Sequence, residues 1–349
     1  MLPSDMESFI ELCCSRDGFS REDAEKRAEV VEWVAFHNPC DDGEPTYMVG
    51  AQGDRVVAHL GRMPTLFSVD GKPEVASYFH DLYVHPDLRT TNAQGFFLSM
   101  KMYRQAEKAS NSFCAMIWTN EINISLQKSR KYTQMWTDHR VMLLGLSEKI
   151  DSKIPKFIAP PAKSAVRTLL AASDWANGLR LKCDANVERI ETFDSRFDSF
   201  ADAIAPDLGV APRKDQKYLA WKYADRPRLD ASFFQLLDSL GQLAGFCVVV
   251  NPDETATSSI AELVVLRNNP SGINALLQAA IQHLRAMGAE RIEAVASDQP
   301  YSEALHQRFF RRDLRVPLFL AHSDRSPYSE SLQSPSQWHV SLGDSEGPF

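Results

Sequence analysis

At 349 residues, 44% hydrophobic and 24% charged, the chain has room for two domains of ordinary size, and its composition excludes a disordered, collagenous or coiled-coil molecule. Thirty-eight Lys and Arg against 46 Asp and Glu leave a net charge of -8, which gives a polyanion no footprint, so nucleic acid is not an expected partner. No run approaches the ~18 apolar residues of a membrane span, and the first residues lack the basic and apolar regions of a secretory leader, so no membrane span and a cytoplasmic location are expected.

Residues 7–38 carry apolar positions at helical spacing, broken at Arg16-Asp17-Gly18 and closed by Asn38-Pro39. Strand character follows over 47–51, 56–66 and 75–84, with Gly-Asp turn signals between, which predicts an antiparallel meander. Residues 94–109 read as a helix, 113–119 as a short buried strand and 120–131 as a second helix. Residues 148–161 read as a linker. Beyond it, the amphipathic stretch 164–179, with Leu169, Leu170 and Trp175 beside Lys163 and Arg167, suits a membrane-surface helix or, more simply, a helix packed across two halves.

From Asn186 the order repeats: a helix, strands near 233–237, 244–250 and 260–266, a helix over 272–287, a strand over 291–296 and a helix over 301–310. A polar stretch over 323–336 leads to a strand-like piece over 338–342. A shift of 178 lays the helix near Phe96 on the one near Asn274, and Phe113 to Trp118 on Arg291 to Ala296, without a gap. The preceding strands, Asp81 to Val84 and Glu262 to Val265, match at 181 instead, so the turn between strand and helix is three residues shorter in the second half. One indel at one turn argues for duplication, with an N-terminal domain over 1–147, a linker and helix over 148–185 and a C-terminal domain over 186–349.

The first strand-to-helix turn reads Val84-His85-Pro86-Asp87-Leu88-Arg89-Thr90-Thr91-Asn92-Ala93-Gln94-Gly95. Unpaired N–H groups and the positive end of a helix suit a pyrophosphate there, and Arg89 adds a fixed charge. The turn resembles that of the GNAT superfamily of acyl-CoA N-acyltransferases, V-x-P-x-x-R/Q-x-x-G-x-G/A. Val84, Pro86 and Arg89 match, whereas Asn92 and Gln94 replace glycine or alanine, and Gly95 stands one residue on. The second turn, Leu266 to Gly272, is shorter and holds Pro270, which has no N–H to donate. Tyr218-Leu219-Ala220-Trp221-Lys222-Tyr223 and Trp338-His339-Val340-Ser341 with Asp344-Ser345 resemble segments of bacterial tandem members.

The resemblance implies an α/β fold of two GNAT-like domains in tandem, each a mostly antiparallel central sheet flanked by helices. It implies acyl-CoA or acetyl-CoA as co-substrate, held by Leu82, Tyr83, Val84, Arg89, Thr90, Thr91, Asn92, Ala93, Gln94 and Gly95, with acyl transfer to a primary amine of a small metabolite or amino sugar. One cofactor per chain is expected, in the first half. A tRNA-dependent aminoacyl transferase, an enzyme fed by an acyl carrier protein and a non-catalytic acyl-CoA-binding protein stay open on the same fold, and the oligomeric state is not fixed.

Amine acylation needs a base, a polarised carbonyl and a proton for the departing thiolate. The strand before the turn offers His80, Asp81 and His85, one of which is expected to serve as base. Strand alternation puts His80 with Leu82 on one face and Asp81 with Tyr83 and His85 on the other, so only one group faces a cleft unless a bulge intervenes. Where family members carry a tyrosine acid this chain has Gln127, with Tyr132 five residues on and His306 in the second half. No G-x-S-x-G, G-x-x-x-x-G-K-S/T or G-x-G-x-x-G string is present. The six cysteines form no C-x-x-C pair and the histidines have no ligand spacing, so buried thiols and no metal are expected.

Overall fold

The computed structural model describes residues 1–16, 18–90, 93–110, 112–117, 127, 130, 132–153, 155, 158–181, 185–267, 269, 271–296, 299–322 and 329–344. In the first half, α1 (Met6–Cys14) and α2 (Arg21–Phe36) precede β1 (Tyr47–Gln52), β2 (Arg55–Val69) and β3 (Lys72–Val84). Ser20 caps α2: its hydroxyl accepts from the Asp23 N–H while the Asp23 carboxylate accepts from the Ser20 N–H, the reciprocal pair that satisfies two orphan donors. A short α3 (Pro86–Thr90), α4 (Gln94–Ala109), β4 (Phe113–Ile117) and β5 (Thr133–Leu143) complete this half. Then follow α5 (Ser147–Lys153), α6 (Ala159–Arg180), β6 (Asn186–Ile190), α7 (Arg196–Leu208), β7 (Val210–Pro212), and α8 (Gln216–Leu219), which runs into a π-helical turn over Ala220–Ala224. The second half continues with β8 (Ala231–Leu237), β9 (Leu243–Val250), β10 (Thr257–Val265), α9 (Ser271–Ala286), β11 (Arg291–Ala296), α10 (Gln299–Gln307), β12 (Arg311–His322) and α11 (Ser329–Gln333).

The meander and the helix over 94–109 form as the pattern predicts. Five segments differ. The expected linker contains α5, a strand rather than a helix starts at Asn186, residues 338–342 form no strand beyond a bridge at Trp338, and β5 and β12 have no counterpart in the sequence reading. The expected helix over 120–131 lies outside the described residues apart from Gln127 and Arg130, as does Cys183. α6 forms but seats on the second half, through Arg167 to Glu290, Asp174 to Arg285 and Asn177 to the Gln307 carbonyl, with Leu169 and Trp175 exposed.

The two halves share one twelve-stranded sheet, in the order β1-β2-β3-β4-β12-β5-β11-β10-β9-β8-β6, with β7 on β2. β3–β4 and β10–β11 pair in parallel and the other neighbours antiparallel. The last strand of each half is exchanged: β12 pairs with β4, and β5 pairs with β11. The exchange is symmetric in register. Phe113 faces His322 and Arg291 faces Leu143, so the offset of 178 that relates the first pair of strands becomes 179 for their partners. A pseudo-twofold axis therefore passes between β12 and β5, which run antiparallel as such an axis requires.

One face of the sheet carries a core common to both halves, with Phe9, Phe67, Phe113, Phe246 and Trp338 under α1, α2, α7 and α8. Trp33 of α2 stacks on Trp221 at 4.5 Å and 9°, which gives the Trp221 segment a packing role between halves. On the opposite face each half has its own core, under α4 in the first and under α9 and α10 in the second.

Candidate functional site

The site predicted from the sequence lies where β3 ends. Among the described residues, β3 pairs with β4 only at Ser77–Cys114 and Tyr78–Ala115, and Phe79 to Val84 have no ladder partner on that side. Two parallel strands that part in this way leave backbone groups of the longer strand facing the gap.

A bulge changes which side chains face where. The β2–β3 register jumps from Gly61–His80 to His59–Tyr83, and Asp81 takes a left-handed φ of 49°, uncommon for a residue with a Cβ. Plain alternation is thereby overturned. His80, Asp81 and Tyr83 share the face under α1 and α2, while Leu82 joins Phe79 and Val84 against α4. The His80 ring packs edge-on against Tyr47 at 5.3 Å and lies over Gly61, where a Cβ would come within 2.3 Å of it.

Asp81 is clamped by Arg16 at 3.0 Å and Arg27 at 2.7 Å, with Nδ1 of the fully buried His59 at 3.5 Å. Burial alone would raise its pKa, but Arg27, His59 and Arg16 together outweigh that and hold it far below the ordinary carboxylate value. Such a carboxylate is a weak proton acceptor. His85, at the strand end, accepts from the Asp87 N–H at 3.3 Å and lies 2.9 Å from Arg55, so it caps the turn.

Arg89 is pinned rather than loose. Its Nε donates to the Val84 carbonyl at 2.7 Å, and its guanidinium sits 4.5 Å from the centre of the Tyr83 ring, which Arg16 also approaches at 4.4 Å. Thr91 and Asn92 lie outside the described residues. Among the described residues of the turn Ala93 is left-handed, at φ 59°, and Gly95 sits where a Cβ would come within 2.9 Å of the Leu88 carbonyl oxygen. Among the expected acid positions, Gln127 is fully buried, Tyr132 donates to Glu107 and is held protonated chiefly by burial, and His306 is exposed on α10. Arg16, Arg27, His59 and Tyr47 were not foreseen. Nothing in their spacing announces a site, since Arg16 and Asp81 are 65 residues apart, and only the helix break at Arg16 hints that this residue is held at a helix end.

The equivalent groove of the second half is closed down by the chain's own side chains, while an open cleft of about 500 Å³ lies beside its turn, lined by Ala203, Asp207, Leu266 and Arg267. β10 carries a bulge at Ala261, one residue before Glu262, the residue that the offset of 181 lays on Asp81. The Tyr301 hydroxyl accepts from the Val265 N–H at 3.0 Å and donates to its carbonyl at 3.3 Å, and His339, Val340 and Ser341 line the remaining crevice with Ile260, Leu263 and Val295. Arg267 is 80% exposed, while Asn268 and Pro270 lie outside the described residues.

No protein-family model and no curated protein matches the sequence. Solved structures do match in fold. N-myristoyltransferase of Saccharomyces cerevisiae with bound myristoyl-CoA is similar over 96% of this chain and 82% of its own, at 11% identity and a TM-score of 0.54. A probable N-acyltransferase of Enterococcus faecalis covers 95% and 73% at 9% identity and a TM-score of 0.57, and a GCN5-related N-acetyltransferase of Kribbella flavida 92% and 70% at 14% and 0.53. With such neighbours spanning both halves, the chain has the GNAT-like N-acyltransferase fold, doubled and joined by strand exchange.

Proposed function

We propose that the chain transfers an acyl group from the thioester of acyl-CoA to a primary amine of a small acceptor, in the groove where β3 leaves β4. The acceptor nitrogen forms the new C–N bond, the C–S bond breaks with its electron pair going to sulfur, and the amine proton passes to a base while the thiolate takes up a proton. One observation carries the reading: β3 and β4 part beside a pinned Arg89, whereas the second copy of the groove is occupied by Tyr301 and the chain's own residues 339–341. His80 is the favoured base. Asp81 is neutralised by two guanidiniums and His85 is taken up in the turn, while His80 packs beside Tyr47 at the bulge.

Calorimetric titration with CoA, acetyl-CoA and hexadecanoyl-CoA tests this directly. One equivalent should bind per chain, and Arg89→Ala should weaken binding by roughly 1.5–3 kcal/mol, the scale of a charge-assisted hydrogen bond. Arg267→Ala should leave the affinity within about twofold of wild type, because that side chain stands in solvent at the closed copy. Two equivalents, or loss of binding only in Arg267→Ala, would move the working site to the second half.

A further inference from the structure

We propose that the solvent face of α4 docks an acidic carrier protein that presents the acyl thioester on a phosphopantetheine arm. The proposal rests on the acyl-transfer reading of the β3–β4 groove and names the partner that feeds it. Phe97, Lys101, Arg104 and Lys108 recur at helical spacing and form one exposed stripe, opposite the buried Gly95, Ser99, Met102 and Ala106. At its first turn Phe97 is 67% and Phe96 51% exposed, and their rings meet edge to face at 5.9 Å. Large aromatics this open are unusual on a soluble surface and are characteristic of contact sites. Three cations without an ion-pair partner among the described residues are also unexpected on a molecule of net charge -8.

The internal repeat supplies the comparison. The offset of 178 lays these four positions on Ala275, Ala279, Gln282 and Ala286 of α9, a helix in the same place on the same fold. The fold therefore does not require the basic stripe. It belongs to the half in which β3 and β4 part beside Arg89, on the helix that begins at the Arg89 turn, so a partner seated on α4 has its arm near the proposed groove. Charge complementarity selects an acidic protein surface, and Phe96 and Phe97 supply an apolar anchor at one end of the stripe. An anionic membrane is the lesser fit, because the apolar face of α4 is buried in the core and only its first turn offers rings to a bilayer.

Calorimetry with a bacterial acyl carrier protein in its holo form, with CoA and with vesicles containing 30% phosphatidylglycerol tests the proposal. The carrier should bind, more weakly at higher salt, and Lys101→Ala/Arg104→Ala/Lys108→Ala should raise its Kd at least tenfold while CoA affinity stays within twofold. Phe97→Ser should weaken the carrier in the same way. Equal carrier affinity in wild type and variants, no carrier binding, or binding of vesicles in place of carrier would each overturn it. Carrier binding lost in the triple variant without any CoA binding would uphold this docking site and overturn free acyl-CoA as the donor. Neither ligand binding would overturn both readings.

Discussion

His80 owes its position to a side chain that is absent. Its ring occupies the space above Gly61, so Gly61→Ala would force the imidazole aside at a cost of about 1–3 kcal/mol of overpacking. With His80 as the base, this variant and His80→Gln should both lower kcat by roughly 10²–10⁴-fold and leave CoA affinity unchanged, a split that steady-state kinetics and calorimetry read separately. Retained kcat in both would remove His80 from the chemistry. Asp81 makes the opposite kind of prediction, one of stability. Its folded pKa lies below the unfolded value near 4, so its contribution is present above that pH and is lost as pH falls toward the folded pKa. Denaturant titrations of wild type should therefore show stability falling below about pH 4, and Asp81→Asn should flatten that limb.

At the scale of elements, the meander, α4 and the repeat were legible because apolar spacing fixed their faces, as in β2, where Met63, Phe67 and Val69 point into one core and Ala58 and Leu60 into the other. The bulge at Asp81 was not legible, since a strand pattern carries no mark of one extra residue when the left-handed position is an aspartate rather than a glycine. The exchanged strands escaped for a different reason. Charged runs mark both, Asp138, His139 and Arg140 at the centre of β5 and Arg311, Arg312 and Asp313 at the start of β12, and such runs read as loop until the other half supplies partners. Arg312 meets Asp138 at 2.7 Å across the seam and His139 meets Glu293 at 3.3 Å. The closed groove gives a test at this scale. Tyr301→Phe removes the hydroxyl that satisfies the buried Val265 N–H and carbonyl, so it should cost about 1–3 kcal/mol in urea denaturation. CoA stoichiometry should stay at one, because residues 339–341 still wall the narrow crevice.

For the molecule as a whole, a buried ionic cluster inside the second half anchors the segment that packs on the first. Lys214 Nζ donates to Glu262 of β10 at 2.8 Å and to Asp344, and Ser341 donates to Glu262 at 2.7 Å, which fastens residues 338–344 across the shared core where Trp338 meets Phe67 and Phe113. Lys214 and Lys222 are both buried, yet their pKa values move in opposite directions. Burial alone would lower both. At Lys214 the carboxylates of Asp344 and Glu262 outweigh it and raise the pKa, so its contribution is present below about pH 10.5 and is lost as pH rises through the folded value. At Lys222 burial wins and the pKa falls to about 8, so below that pH its charge opposes folding, and the penalty is relieved between about 8 and 10.5. Lys214→Met should thus leave two carboxylates buried without a cation and cost about 3–5 kcal/mol at pH 7. Adding Glu262→Gln and Asp344→Asn to that variant should restore most of the loss. Lys222→Met should be neutral or stabilising at the same pH, because it removes a disfavoured charge, and urea midpoints with a common m-value compare all four chains. Equal destabilisation by the two single lysine variants would show that burial alone governs this cluster and that the ion pairs hold nothing together.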